Sequence, residues 1–266
     1  MKKTTKMLAT SLLVAVGLAA CGSNSSSSTN AANRLTMTTF GELTTLDSAD
    51  YDDVPSSDMM GQIFEGLYRV AANNKVELGM AAQEPKVSED GLVYTFTLRD
   101  AKWSDGSPVK AQDFVFTYRK LVNPQEGHVA QSADVFKNAK KIRSGELPVE
   151  ELGVKALDDK TLEITLENPA PYLPKLLTGS RFLPQSEAVA QKLGDQYGSN
   201  VSNVVVNGPF KLEGWTGSEL TWKLVKNTDY WDASNVALNE VTVNVSKEVA
   251  TSVQLFDSKQ VQYTTI

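Results

Sequence analysis

The chain has 266 residues, a formal net charge of -6 and a hydrophobic content of 41%. That acidic balance argues against nucleic acid as a partner, because phosphate binding draws on clustered Lys and Arg. With one cysteine, Cys21, and one histidine, His128, an internal disulfide is excluded and there is no His/Cys cluster to hold a metal.

From the N-terminus, Lys2, Lys3 and Lys6 precede an apolar stretch, Met7 to Ala20, that is too short to span a bilayer with ordinary flanks. Residues 1–20 therefore read as a secretory signal. Its end, Leu18-Ala19-Ala20-Cys21, is similar to a bacterial lipobox, which implies that Cys21 becomes a lipidated N-terminus. Residues 21–34, rich in Ser and Asn, cannot bury enough apolar surface to offset their ordering entropy and read as a flexible tether. The expected location is extracytoplasmic: the outer face of a bacterial cell membrane, or its periplasmic side in a two-membrane cell. Roughly 230 residues remain, enough for one large core or two smaller ones.

Leu35 to Phe40 alternates weakly and predicts a first strand. The stretch GELTTLDSADYDDVPSSD reads as loop, and SSDMMGQIFEGLYRV, with Met59, Ile63, Phe64 and Leu67 at helical spacing, as a helix. A turn at Glu89-Asp90-Gly91 precedes a strand over Val93 to Leu98. After Trp103, Ser104 to Pro108 is turn chemistry. Ala111 to Val122 then predicts a helix, with Asp113 in its first turn and Arg119 and Lys120 in its last, as the helix dipole favours. A hairpin follows, Val154 to Leu157 and Thr161 to Leu166, and then a short helix over Pro171 to Leu177. Ser186 is placed to cap a helix that runs to Leu193 and stops at Gly194. Phe210 to Trp215 and Leu220 to Lys226 form a second hairpin. Glu240 to Val245 reads as a strand, Lys247 to Ser258 as a helix capped by Ser246, and Val261 to Thr264 as a last strand. That final strand, helix and strand suggest parallel pairing.

The stretch SEDGLVYTFTLRDAKWSDGSPVKAQDFVFTYRK, Ser88 to Lys120, resembles a signature of the extracellular solute-binding proteins that serve oligopeptide and dipeptide ABC transporters. TLDSADYDDVPSS, IFEGLYRV, LGVKALDDKTLEITLENPAPYLPKLL, NGPFKLEGW and NTDYWDA follow the same family order. The resemblance runs from about Leu35 to the end. It implies an α/β fold of the periplasmic-binding-protein kind, with mixed sheets and flanking helices. Lobe I would be discontinuous, 35–64 and 187–266, with an extra domain at 65–186. The family's second lobe is expected to be missing, as from a truncated chain. Family members hold the peptide's α-amino group from that lobe, so the chain by itself is expected to bind peptide weakly or not at all.

The resemblance also implies site residues. Asp52, Asp53 and Val54 match a segment that pairs with extended peptide backbone, although Asp53 stands where a relative has glycine. Thr178, Gly179 and Ser180 match a loop near the far end of the ligand, and Asp232 and Ala233 match pocket-lining positions. Tyr230 and Trp231 read as core aromatics before ligand platforms. Lys110 stands where the family usually has Thr or Ser, so the helix at Ala111 is expected to lack its cap oxygen. The function implied is the substrate-binding component of a peptide ABC importer, without cofactor, acting as a monomer with oligopeptides and permease subunits as partners.

A peptide-pheromone or other small-solute surface receptor is the alternative. A secreted hydrolase is the more distant one, since Asp100, Asp105 and Asp113 within the signature are candidate acids or bases. The residues favour scaffold over catalysis: the acids sit at turns and a helix start, where such residues are expected anyway, Trp103 reads as packed, and His128 has no nucleophile beside it in a triad-like context.

Overall fold

The computed structural model describes residues 33–126 and 130–265. The signal sequence, Cys21, the tether through Ala32 and His128 lie outside them. In chain order the elements are β1 (Arg34–Thr39), α1 (Val54–Ile63), β2 (Tyr68–Val70), β3 (Val76–Leu78), β4 (Lys86–Val87), β5 (Val93–Thr97) and α2 (Ala111–Lys120). Then come α3 (Ala139–Arg143), β6 (Val154–Ala156), β7 (Thr161–Thr165), α4 (Leu173–Leu176), α5 (Glu187–Leu193), β8 (Phe210–Glu213), β9 (Thr221–Lys226), β10 (Glu240–Val245), α6 (Val249–Asp257) and β11 (Tyr263–Thr264).

Two main sheets result, which makes the fold mixed α/β. A five-stranded sheet has the order β11-β1-β10-β9-β8. Strand β1 lies parallel to β10, with Met37 opposite Val243, and parallel to β11, with Met37 opposite Tyr263; the other pairs are antiparallel. Alternation explains its buried face: Trp222, Leu224, Val241 and Val243 point inward at every second position. Helix α1 covers that face, and the Trp222 indole N–H points at the Met59 sulfur, 3.2 Å away. A four-stranded antiparallel sheet, β4-β5-β7-β6, has Phe96 opposite Leu162 and Tyr94 opposite Ile164. Helix α2 lies on it, and Tyr118 stacks on Phe136 at 5.2 Å and meets Phe182 edge-on at 5.8 Å. A two-stranded ribbon, β2-β3, completes the set.

Several boundaries differ from the sequence reading. The helix expected over Ser56 to Val70 starts at Val54, where Asp53 caps it and Pro55 fills its first turn, and ends at Ile63. Phe64 turns extended because the next residue, Glu65, is claimed by Asn207, whose amide accepts from the Glu65 N–H at 3.0 Å and donates to its carbonyl at 3.0 Å. Residues 68–70 then go to β2. Gly208 lies against this helix end: a Cβ there would stand 2.5 Å from the Ile63 carbonyl carbon and 2.7 Å from the Phe64 nitrogen. The clash is with backbone, so Gly208→Ala is expected to lower stability by about 2 kcal/mol in urea unfolding.

Helix caps also come from unexpected places. Ser186 makes no side-chain cap to α5; the Glu187 N–H donates instead to Asp113 Oδ1 at 3.0 Å. Lys110 supplies no cap oxygen to α2, as expected, and the Ala111 N–H donates to the Asp159 carbonyl at 2.9 Å. Helix α6 begins at Val249 rather than Lys247, and the Ser246 hydroxyl accepts from Ser252 rather than capping. Lys120 does more than complement the α2 dipole: its ammonium meets Asp47 at 2.6 Å in a largely buried pair. The parallel pairing read at the end of the chain is indirect, because β1 inserts between β10 and β11.

Candidate functional site

The acids of the signature are structural. Asp113 is buried, and its carboxylate accepts from the Trp103 indole at 3.1 Å, the Lys110 N–H at 2.8 Å and the Glu187 N–H at 3.0 Å. Asp105 accepts from the backbone and hydroxyl of Ser107 in a turn where Gly106 has φ of +89°. The Asp100 side chain stands fully in solvent, 3.1 Å from the Lys160 ammonium. Trp103 is buried, in edge-on contact with Phe64 at 6.4 Å.

An open cleft of about 600 Å³ lies elsewhere. Ser57, Asp58, Gly61 and Gln62 on the outer side of α1 form one wall, the chain from Phe64 to Ala71 another, and Thr178, Ser180, Tyr230 and Asp232 close the rest. The buried side of α1, with Met59, Met60 and Ile63, fixes which side chains remain to face the cleft.

The expected ligand residues divide around it. Thr178, Ser180 and Asp232 line the cleft, whereas Asp52, Asp53, Val54, Gly179 and Ala233 are not among its lining residues. Asp53 has a capping role, with Oδ1 accepting from the Ser56 N–H at 2.7 Å and Oδ2 from the Thr44 hydroxyl. Val54 is the first residue of α1 and is half exposed. Hydroxyl contacts join the two expected loops: the Ser180 hydroxyl lies 2.6 Å from the Tyr51 hydroxyl and 2.7 Å from that of Ser57. Arg181 donates to the Tyr51 carbonyl at 2.6 Å and lies 4.3 Å over its ring. The 178–180 loop is thus tied to the segment before α1, so the cleft is largely pre-formed.

Opposite stands a network that the sequence reading missed. Glu65 is 4% exposed and accepts from the Tyr230 hydroxyl at 2.6 Å and the Trp231 indole at 2.5 Å. Arg69 lies 3.4 Å from Glu65 and 3.8 Å from Glu77, and both its terminal nitrogens reach Asp232 Oδ2 at 3.2 Å. Asp232 accepts further from the Asn235 amide at 2.6 Å, so its carboxylate is occupied in holding the wall. The Arg99 guanidinium lies 3.5 Å over the Trp231 ring, and Arg99 donates to the carbonyls of Gly79 and Ala81. Burial pushes the Glu65 carboxyl above its usual range, opposed by Tyr230, Trp231, Arg69 and Arg99. Tyr230 is buried in this network, while Trp231 is only half-buried. One signal was available: Glu65 interrupts the apolar run IFEGLY with Arg69 four residues on, a spacing that marks a paired acid.

The described residues that line the cleft include no histidine or cysteine. Among the described residues no group of three His, Cys, Asp or Glu is placed to hold a metal, and no helix is long and apolar enough to cross a membrane.

A mixed sheet with flanking helices, an open cleft on one side and walls of fixed polar side chains define a ligand-binding lobe of the periplasmic-binding-protein kind. The family model for "Bacterial extracellular solute-binding proteins, family 5 Middle" matches residues 75–266, and the chain belongs to that family. A dipeptide-binding protein of Lactococcus lactis is 32% identical over 270 residues, covering 98% of this chain and 48% of that protein. The solved structure of Listeria monocytogenes OppA bound to peptide superposes with a TM-score of 0.82 at 38% identity, covering 86% of this chain and 45% of the other. The pheromone receptor PrgZ, described by its structure and mode of peptide binding, superposes with a TM-score of 0.80 at 34% identity, covering 86% of this chain and 46% of its own. The chain thus spans about half the length of the relatives it matches.

Proposed function

We propose that this chain is the peptide-binding component of an ABC importer, that it forms one wall of the ligand site, and that it hands peptide to a membrane permease without chemical change. The observation that carries this reading is the open cleft of about 600 Å³ into which the Thr178–Ser180 loop and the start of α1 are locked by the Tyr51, Ser57 and Ser180 hydroxyls. Fixed walls limit the ordering cost of binding, and an extended peptide supplies a backbone donor and acceptor at each residue, so it is held without its sequence being read. Asp52 to Val54, Gly179 and Ala233, which are not among the lining residues of the cleft, are proposed to approach that backbone. Relatives described as dipeptide- and oligopeptide-binding support the substrate class. The likeness to PrgZ favours a second reading, a receptor for a signalling peptide at the same cleft.

Two accompanying features belong to the proposal. We assign the five-stranded sheet to lobe I and the β4-β5-β7-β6 sheet to the extra domain. Cys21 carries a lipid that holds the protein, as a monomer, on the outer face of the cell membrane; labelled fatty acid is expected to enter the wild type and not Cys21→Ala.

Calorimetry of the purified chain with tri- and tetrapeptides tests the main reading. Weak saturable binding, with a dissociation constant above about 1 μM, is expected, and the peptide is recovered intact. Cleavage of the peptide, or no saturable heat up to about 1 mM, overturns it.

A further inference from the structure

Helix α1 presents to the cleft a carboxylate that the fold does not use. The Asp58 carboxylate has neither a hydrogen bond nor an ion pair among the described residues. Arg69 is the cation lining the same cleft, and Glu65, Glu77 and Asp232 already surround it at 3.4, 3.8 and 3.2 Å. Among the described residues, the cleft therefore sets four carboxylates against one guanidinium, and the Asp58 carboxylate is the one left without a partner. One turn along the same face is Gly61, where an added Cβ would meet nothing within 4 Å. Residues three apart on a helix are neighbours at about 5–6 Å, so the open space over Gly61 lies beside the carboxylate. Partial burial of Asp58 raises its carboxyl above the usual value, in keeping with a group that lacks a compensating charge.

We propose that Asp58 is a charge-selecting residue of the cleft: it receives the ammonium or guanidinium of a ligand lysine or arginine side chain, which reaches it through the gap above Gly61. The consequence is a preference for cationic peptides over neutral and acidic ones. This rests on the peptide-binding reading and adds a specificity to it. The negative field of the remaining carboxylates acts in the same direction and is weakened by salt.

The test compares Ala-Lys-Ala, Ala-Ala-Ala and Ala-Glu-Ala by calorimetry on the whole chain. All three carry the same N-terminal ammonium, so a preference among them reports the central side chain. Ala-Lys-Ala is expected to bind about tenfold more tightly than Ala-Ala-Ala at low salt, the effect of one charge-assisted contact. In Asp58→Asn that ratio falls to about one, and in Gly61→Leu, which fills the gap and suits a helix, it falls as well. Equal affinities in the wild type, a ratio unchanged in Asp58→Asn, or tightest binding of Ala-Glu-Ala overturns the assignment while leaving peptide binding standing. Failure of all three peptides to bind overturns both.

Discussion

Glu65→Ala is expected to lower the stability of the protein by about 3 kcal/mol, because it removes the acceptor from a buried network and leaves its donors behind. The Tyr230 hydroxyl at 2.6 Å and the Trp231 indole lose their common partner, and Arg69 loses one of its three carboxylates. Arg69 is about one-third exposed and keeps Asp232, which holds the loss below that of a fully buried ion pair. In a domain of this size the change corresponds to a fall in Tm of roughly 6–12 °C, checked by calorimetry. Peptide affinity falls with it, since Tyr230 and Asp232 line the cleft. Glu65→Gln, which keeps the shape and an acceptor, separates charge from packing. Burial raises the folded-state pKa of Glu65, so the stabilisation linked to its proton is full below the unfolded value of 4.5 and is lost as pH rises through the folded one. The deficit of Glu65→Gln relative to wild type should therefore shrink between pH 4 and pH 7. A deficit that grows over that range contradicts the account.

Asp113→Ala is expected to cost about 3–4 kcal/mol, the largest effect of any acid in the signature Ser88 to Lys120. Its carboxylate serves three donors at once: a buried indole, the N-cap amide of α2 and the first amide of α5. Alanine leaves the Trp103 N–H, in a side chain only 1% exposed, without an acceptor. By contrast, Asp100→Ala removes one exposed ion pair to Lys160 and is expected to change stability by less than about 1 kcal/mol. Urea unfolding of the two variants side by side checks the contrast. Similar losses for Asp113 and Asp100 contradict the assignment of Asp113 as a two-helix cap.

Much of the architecture was legible from local pattern. Strand β10 occupies Glu240–Val245 as read, and β5, β7 and β9 lie within a residue of their alternating runs. Alternation encodes which face is buried, and Asp-Gly and Gly-Ser turns encode where the chain reverses, so both are readable without a partner. Helix α2 was legible for the same reason, its apolar face repeating at helical spacing. The end of α1 was not. Local periodicity continued through Leu67, and the helix stopped at Ile63 because Asn207 and Gly208 meet it from more than 140 residues away.

The candidate site divides along the same line. Thr178, Ser180 and Asp232 were marked by motif and do line the cleft, but the partner of Asp232 was not visible in NTDYWDA, since Arg69 lies 163 residues earlier. By itself the sequence determined the faces of strands and helices, the turns, and the family to which the motifs point. Only the tertiary structure decided that Asp113 caps a helix beginning 74 residues later, that Glu65 receives Tyr230 from 165 residues away, and that the Asp58 carboxylate is left at the cleft without a partner among the described residues. The physical reason is that periodicity and turn chemistry are properties of neighbouring residues. A buried polar group is satisfied by whichever donor the fold brings within about 3 Å, and no local pattern names it.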